Sequence, residues 1–149
     1  MEIQEELLSE GLTEELIALS RDWEGEDSCR GYRENGPEDL AGNRIFTARE
    51  DGALVGYLFG AVCRAEKDSS VMEKDAPYFE VEELYVVPER RSQGIGRQLF
   101  TFAEKALRGE SRWILLSTAT KDWRKILHFY LDELGMDFWS ARLFKKLTD

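Results

Sequence analysis

Residues 89–100, ERRSQGIGRQLF, place two arginines and two closely spaced glycines directly before an amphipathic helical pattern. The first turn of a helix leaves backbone N–H groups without partners, and the aligned peptide dipoles add partial positive charge there. Gly94 and Gly96 let a ligand approach the backbone closely, and Arg91 adds a planar fork of donors suited to phosphate. This turn therefore predicts a binding site for a phosphate or pyrophosphate.

Two familiar phosphate-binding patterns do not fit the turn. A P-loop requires Gly-Lys-Ser/Thr, which is absent, and the dinucleotide fingerprint requires a third glycine where Leu99 stands. The longer string VVPERRSQGIGRQLF instead resembles the GNAT superfamily of acetyl-CoA-dependent N-acetyltransferases, whose Arg/Gln-x-x-Gly-x-Gly/Ala signature matches residues 91–96. Within that superfamily, EELYVVPERRSQGIG and the short C-terminal end resemble aminoglycoside N-acetyltransferases and their relatives.

The resemblance implies that acetyl-CoA is the co-substrate. It implies that the backbone of Leu84, Tyr85 and Val86 pairs with the pantetheine arm like an added strand. It also implies that amides and side chains of the turn hold the pyrophosphate, namely those of Arg91, Ser92, Gln93, Gly94, Ile95, Gly96 and Arg97.

Acetyl transfer to an amine needs a group that takes the ammonium proton, and three glutamates precede the implied cofactor contacts. Alternation along a strand predicts Glu80 and Glu82 on one face and Glu83 on the other. An acid at the Glu82 position resembles family members that modify polyamines, and one at the Glu83 position resembles those that modify aminoglycosides. Glu82 and Glu83 both remain candidates for the general base, ahead of Glu80. Alternatively, these carboxylates lie on the surface, or bind the ammonium while a water chain removes the proton.

The departing thiolate benefits from a proton donor. The segment HFYLDELGM resembles the superfamily's Phe-Tyr segment, which implies that Tyr130 is the general acid. The usual tyrosine lies four residues before the Gly-Phe corner, whereas Tyr130 lies five before Gly135. Since one residue is about 100° of helix rotation, either a π-type bulge absorbs the extra residue or Tyr130 is a packed aromatic that points elsewhere. His128 is expected to face away from the site.

The elements that would position these groups follow from periodicity and turn residues. The chain is expected to begin with a helix capped by Thr13, and 24–43 reads as a long loop with a short helix after Pro37. A β-hairpin turns at Asp51-Gly52. The remaining predicted elements are a strand over 78–87, a helix from Gly94 to Gly109, a strand over 112–120, a helix ending at Gly135, and one or two last strands in MDFWSARLFKKL. These predict a GNAT-like α/β fold: a mixed, mostly antiparallel sheet flanked by helices, with one parallel strand-helix-strand unit.

Length and composition set the outer bounds. The 149 residues suit one N-acetyltransferase domain over 1–149, and no run is apolar and long enough for a membrane span. Two distant cysteines, one histidine and no signal peptide predict a cytoplasmic protein without a metal site. Residues 1–43 hold 13 Asp/Glu and 3 Arg/Lys and so carry the whole net charge of −10. This charge disfavours nucleic acid and anionic membranes as partners.

The acidic third is either a solvated helix surface or a rim that attracts a polycation. The first function hypothesis is therefore acetyl transfer to a primary amine of a small cationic molecule, such as an aminoglycoside, a polyamine or an amino sugar. A sensor that binds acyl-CoA without turnover and an acetyltransferase acting on protein lysines or N-termini are the alternatives. A homodimer is a further possibility that the sequence leaves open.

Overall fold

The structure is a computed structural model that describes residues 1–149. Its elements run in the order β1 (Glu2–Glu6), α1 (Glu10–Glu26), α2 (Pro37–Leu40), β2 (Arg44–Glu50), β3 (Ala53–Arg64), β4 (Pro77–Val86), a 3-10 turn (Pro88–Arg90), α3 (Ile95–Leu107), β5 (Trp113–Leu116), α4 (Trp123–Leu127) and a π-helical segment (His128–Glu133). The fold class predicted from the sequence is confirmed: a mixed, mostly antiparallel sheet flanked by helices.

The five strands form one sheet in the order β1-β2-β3-β4-β5. All neighbours are antiparallel except β4 and β5, which are the two strands of the predicted parallel unit around α3. β5 pairs with β4 only over residues 78–81, while β4 runs on to Val86 beside β3. Residues 82–86 of β4 therefore have no strand on the side away from β3, and the sheet opens there.

A β-bulge interrupts β4 at Glu82. Phe59 of β3 lies opposite Glu83, but the next residue, Gly60, lies opposite Val81, so Glu82 is the extra residue. Because residues directly opposite one another share a face, the bulge reverses the alternation of side chains along β4. Glu80 thus lies on the same face as Glu83, and the prediction that these two residues lie on opposite faces is wrong.

The two faces of the sheet are covered by different helices. On one face Trp23 of α1 stacks on Tyr85, with ring centroids 5.3 Å apart, and Tyr85 lies beside buried Tyr57. On the other face Phe46 of β2 packs edge-on against Phe102 of α3. Burial of these apolar faces is the main force that holds α1 and α3 to the sheet.

The N-terminus differs from the prediction in two respects. Residues 2–6 form an edge strand, which the sequence analysis missed because Glu2-Ile-Gln-Glu-Glu carries little apolar signal. Helix α1 is capped by Ser9, whose hydroxyl accepts from the Leu12 amide, and Thr13 instead lies in the first turns and donates to the Ser9 carbonyl. None of the helices has the length and apolar composition that a membrane span requires.

The C-terminal part also departs from the prediction. β5 ends at Leu116, so it is shorter than the strand expected over 112–120. Residues 137–149 form no strand, although MDFWSARLFKKL was expected to supply one or two. The short helix after Pro37 and the π-type distortion near Tyr130 are both present.

The bulge has a steric requirement that can be tested at Gly60. A Cβ at this position would collide with the carbonyl oxygen of Glu80 and lie 3.0 Å from the Phe79 ring. We expect Gly60→Ala to lower the free energy of unfolding by about 2–4 kcal/mol, because the neighbour is backbone and cannot move aside. The matched control is Gly11→Ala in α1, where an added Cβ meets nothing within 4 Å. That change should be neutral or stabilising by up to about 1 kcal/mol. Urea denaturation measures both, and equal stabilities would contradict the steric argument.

Candidate active site

The turn between β4 and α3 presents a run of free backbone donors. The N–H groups of residues 92–97 make no hydrogen bond to any acceptor in the protein, and the first bond of α3 runs from Gln98 N–H to the Gly94 carbonyl. Ser92 and Gly94 both have positive φ, at 62° and 85°, which turns successive amides toward a common side. These donors lie at the positive end of the 13-residue helix α3, an arrangement that suits an anion; the turn over 92–97 is called the anion-binding turn below.

Gly96 brings the π-helical segment against this turn. A Cβ at Gly96 would lie 3.3 Å from the ring of Phe129, so the absence of a side chain lets that ring pack on the start of α3. Tyr130 follows directly and packs near Phe100 of α3, with ring centroids 6.4 Å apart. The anion-binding turn and Tyr130 are thereby held on neighbouring elements.

The open edge of β4 runs from the turn toward the bulge. A Cβ at Gly56 of β3 would lie 3.1 Å from the Tyr85 carbonyl oxygen, so that oxygen is directed toward β3. Because backbone groups alternate in direction along a strand, those of Leu84 and Val86 face the open edge. An extended ligand could form backbone hydrogen bonds with this edge, as β5 does with residues 78–81 of β4.

Arg91 is held by α1 rather than by the turn. Its guanidinium makes two hydrogen bonds to the Glu26 carboxylate, at 2.7 and 3.0 Å, and its Nε donates to the Val86 carbonyl at 2.8 Å. The Tyr85 hydroxyl also donates to Glu26, at 2.6 Å. Burial acts to raise the pKa of Glu26, but the bonds from Arg91 and Tyr85 outweigh it, so the pKa is lowered and Glu26 stays ionised at neutral pH.

Glu83 is the centre of a partly buried hydrogen-bond network. Its Oε1 accepts from the hydroxyls of Tyr32, at 3.0 Å, and Tyr57, at 2.8 Å, and its Oε2 accepts from the Asn35 side-chain amide at 2.9 Å. Ser20 of α1 extends the network to Tyr32 and to the Asn35 backbone. Burial raises the pKa of the Glu83 carboxyl, and the three hydrogen bonds oppose that rise.

Glu82 and Glu80 have a different environment. Glu82 is exposed at the bulge and makes no hydrogen bond within the protein, so both of its oxygens are free. Glu80 is half-buried, and burial together with the neighbouring Glu82 charge raises its pKa. The structure therefore separates the two candidates for the base: Glu83 already accepts three hydrogen bonds, and Glu82 accepts none.

The π-helical segment accounts for the extra residue before Gly135. The Leu134 amide bonds to the Phe129 carbonyl, five residues back, and the Met136 amide bonds to the Tyr130 carbonyl. The Tyr130 hydroxyl makes no hydrogen bond within the protein, and burial raises the pKa of Tyr130 to about 12. His128 is exposed and pairs with Asp132 on the outside, as expected.

A loop from α1 crosses over the opening of the sheet. Cys29 forms an antiparallel bridge with Thr120, supported by backbone bonds between Arg30 and Ala119 and between Lys121 and Ser28. The next residues of the loop reach Glu83 through Tyr32 and Asn35. Residues 28–35 thus link the segment after β5 with Glu83 of β4.

Sequence reasoning missed four residues of this site: Glu26, Tyr32, Asn35 and Tyr57. Three of them lie in or beside a stretch that reads only as polar loop, and Tyr57 lies in a strand as an ordinary core aromatic. Their partners are 26 to 65 positions away in the sequence, so no local pattern indicates the contacts. A buried carboxylate surrounded by donors is visible only after folding.

The comparisons with known proteins agree with this geometry. The model of the "Acetyltransferase (GNAT) family" matches residues 8–136. Because this is most of the chain, the chain belongs to the GNAT family of acetyltransferases. No curated protein is significantly similar to it.

Solved structures show the fold with low sequence identity. Aminoglycoside N-acetyltransferase AAC(6')-Iy, crystallised with CoA, is 16% identical with a TM-score of 0.66, and the match covers 99% of this chain and 100% of that one. An aminoglycoside acetyltransferase from an uncultured soil metagenomic sample, crystallised with trehalose, is 20% identical, with a TM-score of 0.66 and coverage of 98% and 97%. A mutant protein from Bacillus halodurans is 17% identical, with a TM-score of 0.74 and coverage of 99% and 100%. At these identities the likeness concerns the fold.

The Glu83 network predicts a pH-dependent stability. Tyr57→Phe removes one donor, and we expect the free energy of unfolding to fall by about 1–3 kcal/mol at pH 7. The Tyr57 hydrogen bond lowers the pKa of Glu83, so its loss moves the folded-state pKa further above the ordinary value of 4.5. A carboxyl whose pKa is raised by folding destabilises the protein as pH rises from the unfolded value through the folded value. The free energy of unfolding of Tyr57→Phe should therefore fall further below that of the wild type at pH 7 than at pH 4.

Urea denaturation of the wild type and the variant at both pH values measures this difference. Tyr78→Phe, at a tyrosine that does not contact Glu83, is the matched control and should show no pH-dependent deficit. A deficit of Tyr57→Phe that is the same at both pH values would contradict the proposed environment of Glu83.

Proposed function

We propose that the protein transfers the acetyl group of acetyl-CoA to a primary amine of a small cationic molecule. The observation that carries the proposal is the run of six free N–H groups over 92–97 directly beside an unpaired strand edge. In a GNAT acetyltransferase this pair of features suits a ligand with a diphosphate at one end and an extended arm that bears peptide-like amides.

The turn binds the pyrophosphate through its backbone, and the arm lies along Leu84 and Val86. Ser92, Gln93, Gly94, Ile95, Gly96 and Arg97 supply the amides. Tyr85 supplies packing rather than an open-edge backbone group, since its carbonyl is directed at β3. In this structure the Arg91 side chain donates hydrogen bonds to the Val86 carbonyl and to Glu26. Arg91 must therefore release the Val86 carbonyl if the arm is to pair with it.

Gly94→Val tests the turn. Gly94 has a φ of 85°, a conformation that side chains rarely adopt, and a branched residue would shift the amides around it. We expect the affinity for CoA to fall at least about 10-fold, while the circular dichroism spectrum stays that of the folded protein. Gly42→Val is the matched control, because Gly42 has a similar φ of 81° but lies between α2 and β2, away from the turn. Isothermal titration calorimetry with CoA measures both, and a wild type that does not bind CoA would overturn the proposal.

We assign the general base to Glu82 and a positioning role to Glu83. A base needs a free lone pair near the reacting amine, and Glu82 is exposed at the bulge with both oxygens free. Glu83 instead fixes the 28–35 loop through Tyr32 and Asn35. The Glu82 carboxylate takes a proton from the ammonium, directly or through one water, and the freed lone pair attacks the thioester carbon.

Glu82→Gln and Glu83→Gln separate these roles. Glu82→Gln should lower kcat/KM at pH 7 by about 10²–10⁴-fold and leave the melting temperature unchanged. Glu83→Gln should lower the melting temperature, because an amide cannot accept all three hydrogen bonds. Steady-state kinetics with a series of amines, followed by thiol release, measures the first effect. Wild-type kcat/KM in Glu82→Gln would contradict the assignment.

Tyr130 is the proton donor to the departing CoA thiolate. Its hydroxyl is free of protein partners, and with a pKa of about 12 it stays protonated throughout the usual assay range. We expect Tyr130→Phe to lower kcat by about 10²-fold while the CoA dissociation constant changes less than about twofold. Tyr78→Phe is the control and should leave both unchanged. Equal losses of kcat and CoA affinity would indicate that Tyr130 only packs.

The acceptor is proposed to be small because the loop that bounds it is tied down. Residues 28–30 pair with 119–121, and residues 32 and 35 bind Glu83, which leaves little room for a protein chain. Six of the thirteen acidic residues in 1–43 form salt bridges. The unpaired negative charge that could attract a polycation is therefore smaller than the sequence count suggests. Glu82 at the bulge accepts no hydrogen bond within the protein, Glu80 nearby is half-buried, and these two carboxylates suit an ammonium group. Turnover with peptides but with no small amine would contradict this acceptor class.

A further inference from the structure

Ser20 is a polar residue on the buried face of helix α1. The buried residues of this helix are Leu12, Leu16 and Ser20, which are spaced four apart and therefore form one stripe along the helix. Ser20 is 0% exposed. A hydroxyl in such a stripe costs free energy unless it is hydrogen-bonded, whereas an alanine would continue the apolar face without that cost. The contribution of the Ser20 hydroxyl must therefore lie in the groups that it bonds.

Both hydrogen bonds of the Ser20 hydroxyl go to the 28–35 loop. Its oxygen accepts from the Asn35 backbone N–H at 2.9 Å, and it lies 2.7 Å from the Tyr32 hydroxyl oxygen. Tyr32 donates its own proton to Glu83, which only accepts when it is ionised. The Ser20 proton must therefore point to the Tyr32 oxygen, so that neither hydroxyl can rotate without breaking a bond.

The loop is held between α1 and β4 at two residues. The ring of Tyr32 stacks on Trp23, with centroids 4.2 Å apart, while its hydroxyl lies between Ser20 and Glu83. Asn35 is held in the same way, since its backbone N–H bonds to Ser20 and its side-chain amide donates to Glu83 at 2.9 Å. Ser20 is thus the group of α1 that contacts both of the loop residues that bind Glu83.

We propose that Ser20 is a positioning residue for the acceptor amine, which it affects by fixing the 28–35 loop over Glu83. This role rests on the proposed function, because it takes the amine to react at Glu82, the neighbour of Glu83 in the chain. Ser20 has no hydrogen bond to the anion-binding turn. Loss of its hydroxyl therefore weakens the binding of the acceptor and leaves the binding of CoA unchanged.

Ser20→Ala tests this role by steady-state kinetics at saturating acetyl-CoA. We expect the KM for the amine to rise about 10-fold, the effect of about one hydrogen bond, while kcat changes less than about twofold. The dissociation constant of CoA, measured by calorimetry, should not change. The matched control is Ser111→Ala, since the Ser111 hydroxyl oxygen is buried but has no hydrogen-bond partner, and it should leave all three constants unchanged. A wild-type KM in Ser20→Ala, or equal losses in kcat and CoA affinity, would overturn the proposal.

Amide hydrogen exchange followed by NMR gives a readout that needs no turnover. In Ser20→Ala the Asn35 amide should exchange at least about 10-fold faster than in the wild type, because it loses its acceptor. The amide of Leu16, in the same helix, should change much less. If both amides accelerated equally, Ser20 would only stabilise α1, and the positioning role would be wrong.

Tyr32→Phe covers the case in which Ser20→Ala does not fold. It removes the hydroxyl between Ser20 and Glu83 but keeps the ring that stacks on Trp23, and it should also raise the KM for the amine. In the double variant the KM should rise by less than the product of the two single increases, because both changes act on one loop. An increase equal to the product would contradict action of Ser20 through Tyr32.

The same measurements separate this role from the proposed function. A wild type that acetylates no amine would overturn the proposed function and, with it, the role of Ser20. A wild type that acetylates amines, with an unchanged KM in both Ser20→Ala and Tyr32→Phe, would overturn the role of Ser20 alone.

Discussion

The structure depends on the divergence of β4 from β5. The two strands are bonded over only four residue pairs, after which β4 continues beside β3 and leaves one edge of its backbone unpaired. Buried unpaired backbone groups are costly unless water or a ligand satisfies them, so the opening is a weakness of the sheet that an extended ligand would relieve. The turn after β4 adds six more free N–H groups at the end of that surface, and α3 keeps them in place by burying Ile95 and Leu99. The anion-binding turn and the open edge are consequences of the same departure from regular pairing.

The bulge at Glu82 gives adjacent glutamates different chemistry. In a regular strand Glu82 and Glu83 would simply face opposite sides of the sheet. The extra residue keeps Glu83 on the face covered by α1, where Tyr32, Tyr57 and Asn35 enclose it, and leaves Glu82 exposed at the opening. Gly60 permits this because any side chain there would strike the opposite backbone. A single inserted position thus distinguishes a carboxylate that accepts three hydrogen bonds from one that accepts none within the protein.

Helix α1 links the two halves of the opening. Its Glu26 holds Arg91 beside the anion-binding turn, and its Ser20 holds Tyr32 beside Glu83. Trp23 lies between them, stacked on both Tyr32 and Tyr85. One helix thus carries all three contacts. Packed and hydrogen-bonded groups of α1 therefore join the turn after β4 to the 28–35 loop.

The sequence by itself determined the features that are local in the chain. The strand, turn and helix around residues 78–107 follow from hydrophobic period and glycine position, and the misfit of Tyr130 by one residue made a π-type bulge one of two alternatives. The tertiary structure alone decided what depends on distant partners: the pairing of β1, the bulge that places Glu80 with Glu83, the capture of Arg91 by Glu26, and the different hydrogen bonding of Glu82 and Glu83. A bulge depends on the register between two strands, and a buried carboxylate depends on donors from other elements. Neither feature produces a periodic pattern in the sequence of the residues involved, so neither could be predicted from that sequence.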